Sequence, residues 1–296
     1  MSKQTVYLNG AWTPLAEARV PVLDRGFVFG DGVYEVIPVY AGTPLRLAEH
    51  LVRLQKSLDA LRIANPYSAS DWAALLTDLI GRHPWPDQYL YLQVTRGVAK
   101  RDHAFPQAAT PTVFAMSSPL ATPSRAEVER GVAAVTATDY RWGRCDIKSI
   151  ALLGNVLLRQ VAIDRGAVET VLFRDGLLTE GAASNIFVVS GDWLLAPPKS
   201  HLMLPGITYD LVLELAAAAG LPHQVREITE QEVFSAAELW LTSSTKEVLA
   251  ITTLNDRPVG DGKPGPVFRR MHALYQEFKA THFAGHLRSA AAETGA

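Results

Sequence analysis

The chain has 296 residues, and Lys+Arg 28 against Asp+Glu 30 gives a formal net charge of −2, which leaves no basic surplus to neutralise a nucleic-acid backbone. Hydrophobic residues at 48% and charged residues at 20% describe a globular chain, and no window holds the roughly 18 uninterrupted apolar residues of a membrane span. The single cysteine, Cys145, excludes an intrachain disulfide and a cysteine-ligated metal cluster.

At roughly 150 residues per domain the length suits two domains. The opening MSKQTVYLNGAW has no apolar secretory segment and the closing HLRSAAAETGA has no lipidation box, so the expected location is the cytoplasm. In chain order, TVYLNG (5–10) and VYEVIPVY (33–40) read as strands rich in β-branched and aromatic residues. The stretch 47–63 sets Leu47, Leu51, Leu54, Leu58 and Leu61 on one helical stripe, with Arg53 on its polar side. A second helix is expected over 70–82 with Ser70 as its cap, followed by strands at 88–97 and 112–118.

The two prolines of PLATPSR mark residues 119–125 as a linker between an N-terminal α/β domain (1–118) and a C-terminal α/β domain (126–296). Beyond it the pattern predicts a strand at 131–140, a helix near 150–165, strands at 169–174 and 184–190, and a helix from Gly206 to Gly220. A strand, turn and strand over 239–251 and a helix near 264–280 complete the chain. The expected class is α/β with two lobes and a site in the cleft between them.

P-loop, zincin and nucleophile-elbow motifs are absent, and FGDGVYE lacks the strand-loop-helix setting of a dinucleotide fingerprint. The eight histidines show no ligand spacing, so no metal site is expected. Attention falls on RWGRCDIKSIALLG, where Lys148 stands before an apolar run behind Arg141, Arg144 and Asp146. A lysine amine attacks a carbonyl only when neutral, and burial or cationic neighbours such as Arg141 and Arg144 favour that form. The plain alternative is a solvated lysine beside Asp146 at a helix start.

Other segments bear on the choice. Glu180, before a small-residue turn, can keep a pyridine nitrogen protonated, as pyridoxal phosphate requires, or can be a solvated hairpin acid. A helix beginning at Gly206 offers the free N–H groups of Ile207 and Thr208 to a phosphate. The LTSSTKE turn offers Ser243 and Ser244 to the same anion, and Arg53 can add a charge-assisted bond. In KRDHAFP an extended backbone puts Arg101 and His103 on one side and Asp102 on the other, a guanidinium and an imidazole suited to a carboxylate. Tyr34 shares a strand face with Val36 and Pro38, where its hydroxyl can join that grip or simply pack.

DRGFVFGDGVYEV, VTRG with RDH, RCDIKS, TEGAASNIF, PGIT and LTSST, in this order over roughly residues 5 to 275, resemble the class IV, fold type IV pyridoxal-phosphate enzymes. The closest resemblance is to the D-amino-acid aminotransferases. It implies Lys148 as the Schiff-base lysine and proton carrier and Glu180 as partner of the pyridine nitrogen. Arg53, Ile207, Thr208, Ser243 and Ser244 would surround the phosphate, and Leu204 would pack on the cofactor ring. Tyr34, Arg101 and His103 would hold the substrate α-carboxylate, the last two reaching in from the second subunit of a homodimer.

The implied activity is reversible transamination between a D-amino acid, D-alanine foremost, and a 2-oxo acid such as 2-oxoglutarate. Nucleic acid and membrane are not expected partners. Alternatives are a branched-chain L-amino-acid aminotransferase, an aminodeoxychorismate lyase, an amine transaminase, or a non-catalytic α/β binding protein. Glu180, Ala182, Asn185, Ile186 and Phe187 satisfy the family's signature. Pro197 replaces a usual threonine, Tyr209 a usual basic residue, and Ala182 and Ala183 replace serines of the closest relatives, which places second-sphere hydrogen bonds in question.

Overall fold

The computed structural model describes the backbone of residues 4–293 and the side chains of residues 4–283. The chain divides into two compact units: residues up to Ala121 with Ile147–Leu152, and Thr122–Asp146 with Leu153–Ala284. The segment carrying Lys148 thus groups with the first unit, although it lies far beyond the proline-rich stretch.

The first unit contains β1 (Thr5–Leu8), β2 (Ala11–Pro14), α1 (Arg25–Phe29), β3 (Gly32–Tyr40), β4 (Thr43–Pro44), α2 (Leu47–Leu61), α3 (Ala69–Gly81), β5 (Gln88–Thr95) and β6 (Thr112–Pro119). Its strands form an antiparallel sheet in the order β2-β1-β6-β5-β3-β4. Period-two alternation turns Val33, Ile37 and Val39 of β3 and Leu90, Leu92 and Val94 of β5 to one face, where they meet Leu51, Leu54 and Leu58 of α2 and Leu76 and Leu79 of α3. Each such leucine, fully buried, contributes about 1.5–3 kcal/mol. The α3 cap is Ser68, not Ser70: its hydroxyl accepts from Asp71 N and the Asp71 carboxylate returns a bond to the Ser68 N–H.

The second unit contains α4 (Arg125–Arg130), β7 (Val132–Thr138), α5 (Leu153–Asp164), β8 (Glu169–Arg174), β9 (Leu177–Gly181), β10 (Asn185–Ser190), β11 (Trp193–Ala196), α6 (Ile207–Ala218), β12 (His223–Val225), α7 (Glu230–Phe234), β13 (Glu238–Ser243), β14 (Glu247–Leu254), β15 (Arg257–Pro258) and, as far as Ala284, α8 (Pro266–Glu293). The sheet runs β12-β11-β10-β13-β14-β7-β8-β9, with β15 on β14 and parallel pairs at β11–β12, β14–β7 and β7–β8. Strand β10 is apolar on both faces because both are covered. Ile186 and Val188 pack with Leu239 and Leu241, while Phe187 and Val189 pack with Trp240, Tyr209 and Phe268.

Candidate active site

Lys148 is fixed by its backbone. Its N–H donates to Ser57 Oγ at 3.2 Å, its carbonyl accepts from Tyr34 N at 3.0 Å, and Ser149 bridges Val33. The Lys148 Nζ stands 4.1 Å from the centre of the Tyr34 ring, and Tyr34 stacks on Tyr91 at 5.8 Å. No carboxylate of its own unit pairs with that ammonium among the described residues, a condition that leaves the amine free for a ligand. Arg144 is exposed and paired with Asp146, and Arg141 belongs to the second unit, where it pairs with Asp139 and Glu180. Both flanking arginines are therefore engaged by carboxylates.

Arg53 is buried, contrary to its expected place on the polar side of α2. The reason is Glu35, an acid on the covered face of β3: Arg53 Nε donates to Glu35 Oε1 at 2.8 Å and Nη2 to Oε2 at 2.7 Å. His50 Nδ1 shares a hydrogen bond with Glu35 Oε2 at 2.7 Å. Burial alone would raise the Glu35 carboxyl, and Arg53 and His50 outweigh it, drawing the group down to about 2. Burial lowers the His50 imidazole, with Glu35 pulling the other way. One helical turn after Arg53, Ser57 holds the Lys148 N–H, so α2 positions Arg53 and Lys148 together.

Arg101 and His103 lie on an exposed loop and converge on one ring. The Arg101 guanidinium is 5.3 Å from the Phe29 centroid, and the His103 ring is 5.4 Å from it. The structure brings these two residues together and joins neither directly to Lys148 or Tyr34 among the described residues.

Glu180, at the end of β9, is buried within the second unit. Arg141 Nη1 donates to its Oε1, while Leu204 N at 3.1 Å and Asn185 Nδ2 at 3.3 Å donate to Oε2. Arg141 is itself locked by Asp139, with Nε–Oδ1 and Nη2–Oδ2 both at 2.9 Å. Burial pushes the Glu180 carboxyl up to about 7, with Arg141 pulling against it. Asn185 joins the remaining segments: it faces Thr242 across β10–β13 and donates to Leu204 O at 3.0 Å. It stands so near Gly206 that a Cβ there would lie 2.0 Å from Asn185 Oδ1. Glycine is required for that approach.

Gly206 leads into α6, whose N-terminus carries no side-chain cap, so the N–H groups of the first turn, Ile207 and Thr208 included, are left for a ligand. Thr242, 1% exposed, has a hydroxyl oxygen without a hydrogen-bond partner among the described residues. The next residue, Ser243, accepts from Lys246 N at 3.1 Å, and Ser244 is half-buried in the same turn. An uncapped helix start, an orphaned buried hydroxyl and a serine turn are the donor set a phosphate monoester needs. Leu204 is half-buried, with both its backbone polar groups engaged by Asn185 and Glu180.

Glu35, His50, Asp139 and Ser57 escape a reading of the sequence. A lone acid in the apolar run VYEVIPVY is the one available signal, since its parity places Glu35 with Val33 and Ile37.

The model of the amino-transferase class IV family matches residues 32–254, and the chain belongs to that family. The D-alanine aminotransferase of Bacillus licheniformis is 40% identical over 271 residues, 92% of this chain and 95% of that protein. That of Staphylococcus aureus (strain MSSA476) is 34% identical over 280 residues, 94% and 99% of the two chains. Among solved structures, the T.th. branched-chain amino acid aminotransferase with pyridoxamine 5'-phosphate matches with a TM-score of 0.87 at 25% identity, over 94% of each chain. The fold IV-transaminase CpuTA1 of Curtobacterium pusillum matches with a TM-score of 0.78 at 24% identity, over 90% and 93%. The architecture is fold type IV and the cofactor of the class is pyridoxal 5'-phosphate.

Proposed function

We propose that this enzyme moves an amino group between a D-amino acid, D-alanine foremost, and a 2-oxo acid, 2-oxoglutarate foremost. The observation that carries the hand of the substrate is the convergence of Arg101 and His103 on Phe29, in a chain similar over most of its length to D-alanine aminotransferases. A lysine working from one face removes the α-proton of whichever enantiomer points it there. The grip on the α-carboxylate therefore selects the hand.

When bound, pyridoxal phosphate withdraws the electron pair left at the substrate α-carbon and stores the amino group between the two half-reactions. The chain supplies the rest. Lys148 Nζ would hold the cofactor at rest, and its amine would accept the proton released from the substrate α-carbon and deliver it to the cofactor carbon that takes up the amino group. Glu180, oriented by Arg141, Asn185 and Leu204 N, sets the protonation of the pyridine nitrogen, and Leu204 packs on the ring. Arg53, Ile207, Thr208, Ser243 and Ser244 bind the phosphate. Tyr34, Arg101 and His103 bind the carboxylate, the latter two acting from the partner subunit of a homodimer. No helix among the described residues is long and apolar enough to cross a membrane, and we place the enzyme in the cytoplasm.

Purified holoenzyme given D-alanine plus 2-oxoglutarate, and separately L-leucine plus 2-oxoglutarate, tests the reading by chiral analysis of the products. D-Glutamate and pyruvate from the first mixture are expected. Turnover of L-leucine with none of D-alanine overturns it in favour of a branched-chain enzyme.

A further inference from the structure

The loop that carries Arg101 and His103 is exposed, and an exposed loop does not by itself hold two side chains in one geometry. Here it is fastened from below. Arg25, 4% exposed at the start of α1, sends Nη1 to Asp102 O at 2.6 Å and Ala104 O at 3.3 Å, the carbonyls on either side of His103. Its guanidinium also lies 4.8 Å from the centre of the Phe29 ring shared by Arg101 and His103. Asp102 Oδ1 closes the turn by accepting from Ala104 N at 3.1 Å.

Arg25 is in turn held by Asp31, through Nε–Oδ2 at 2.7 Å. The same carboxylate takes Arg96, Nε–Oδ2 at 2.7 Å and Nη2–Oδ1 at 3.0 Å. Arg96 donates to Leu61 O and Arg62 O at the end of α2 and lies 3.8 Å from the ring centre of Phe105, two residues after His103 in the same loop. Burial would raise the Asp31 carboxyl, and the Arg96 and Arg25 bonds more than offset it, keeping it ionised below the usual carboxylate range. Backbone bonds from Arg96 N to Asp31 O at 3.0 Å and from Asp31 N to Arg25 O at 3.2 Å fix the base of the assembly.

We propose that Arg25, seated on Asp31, is a positioning residue for the α-carboxylate grip: it sets the geometry of Arg101 and His103 and so the affinity for D-amino acids, without touching cofactor or reacting atoms. The inference rests on the roles given to Arg101 and His103 above. It predicts a loss in substrate affinity that depends on Arg101 being present.

The test is steady-state kinetics of the holoenzyme with D-alanine for wild type, R25M, R25K, R101A and R25M/R101A. R25M leaves Asp31 paired twice with Arg96, so no buried carboxylate is stranded. R25M is expected to raise KM about tenfold or more, the scale of a lost charge-assisted positioning contact, with kcat changed far less. R25K, which keeps the charge but lacks a second nitrogen to pair with Asp31 while bonding the loop carbonyls, falls between R25M and wild type. The visible cofactor absorbance and its titration with added cofactor stay as in wild type, which a general loss of structure would not allow.

In the double variant the R25M effect is largely lost, because both substitutions remove one interaction. A KM for R25M within twofold of wild type, an R25M effect that multiplies in full with that of R101A, or parallel loss of cofactor absorbance overturns the proposal. F29L serves if R25M does not fold: KM rising about threefold supports the shared ring as part of the device, and an unchanged KM overturns it. Wild-type inactivity on D-alanine, or an R101A KM equal to that of wild type, instead defeats the underlying reading of function.

Discussion

Glu180 sits against the Arg141 guanidinium, yet its carboxyl titrates near 7 because burial removes it from water. The native state therefore holds a proton that the unfolded chain, at the ordinary 4.5, releases. A raised carboxyl contributes stability that is complete below 4.5 and is lost as pH rises through about 7. In the cofactor-free protein, Glu180→Gln should flatten that part of the stability profile. The measurement is the urea midpoint at several pH values between 4.5 and 7 for both proteins; parallel profiles contradict the assignment. Three departures from the family pattern, at Tyr209, Pro197 and Ala182, also have their accounting at this scale. Tyr209, standing where a basic residue is usual, is buried and donates its hydroxyl to Pro197 O at 2.7 Å, so the two unusual residues satisfy each other. Ala182 needs no hydroxyl: its carbonyl accepts from Asn155 Nδ2 at 2.9 Å, its N–H is bonded to Thr170 O, and Ser184 takes the nearby Glu169 carboxylate.

At the scale of elements, α2 shows how far pattern carries. Its leucine stripe is plain in the sequence, and Leu51, Leu54 and Leu58 are buried as the period requires, but His50, Arg53 and Ser57 are buried beside them. Periodicity cannot show this, because the cause is Glu35 on a strand packed against the helix. Long amphipathic helices and β-branched strands were legible for the same reason that β9, β11 and β12 were not: the latter are short, and sheet neighbours rather than their own composition hold them extended. The site follows the same division. Lys148, Glu180 and the Gly206 turn carry motifs, whereas Asp139 and Asp31 act through arginines both near and distant in sequence, Arg141 and Arg174 for the first and Arg25 and Arg96 for the second. The Glu35 group yields a prediction. Glu35→Gln removes the carboxylate that accepts from two Arg53 nitrogens and His50 inside the core, and should cost about 3–5 kcal/mol, the range for breaking a buried pair. The depressed Glu35 carboxyl contributes stability that is present above 4.5 and lost as pH falls through about 2, so the substitution also removes part of the acid sensitivity. Denaturation of the variant within about 0.5 kcal/mol of wild type, the size of an ordinary surface change, would show the network to be dispensable.

For the whole molecule the informative feature is what remains uncovered. In α5, Leu153 is 72% exposed, Val156 59% and Leu157 50%, while Leu158 and Ala162 on the opposite side are buried. The spacing of the exposed three is that of a core-facing stripe, so sequence alone reads them as interior. Val22 and Phe27 of the first unit are similarly exposed, at 73% and 76%. An exposed apolar helix face of this kind suits a contact surface, and the homodimer proposed above would give it an occupant of the same chemistry, a second copy of the chain. Light scattering should then give twice the 32.2 kDa chain mass at micromolar concentration. Introducing charge on that face, as Val156→Asp with Leu157→Asp, should shift the protein toward monomer, since a carboxylate buried in an apolar interface costs several kcal/mol per site. Because both side chains are at least half exposed in the single chain, the variant monomer should keep its fold by circular dichroism. A wild-type protein that scatters as a monomer would remove the homodimer from the reading. A dimer unaffected by the two aspartates would show that α5 is not its seam.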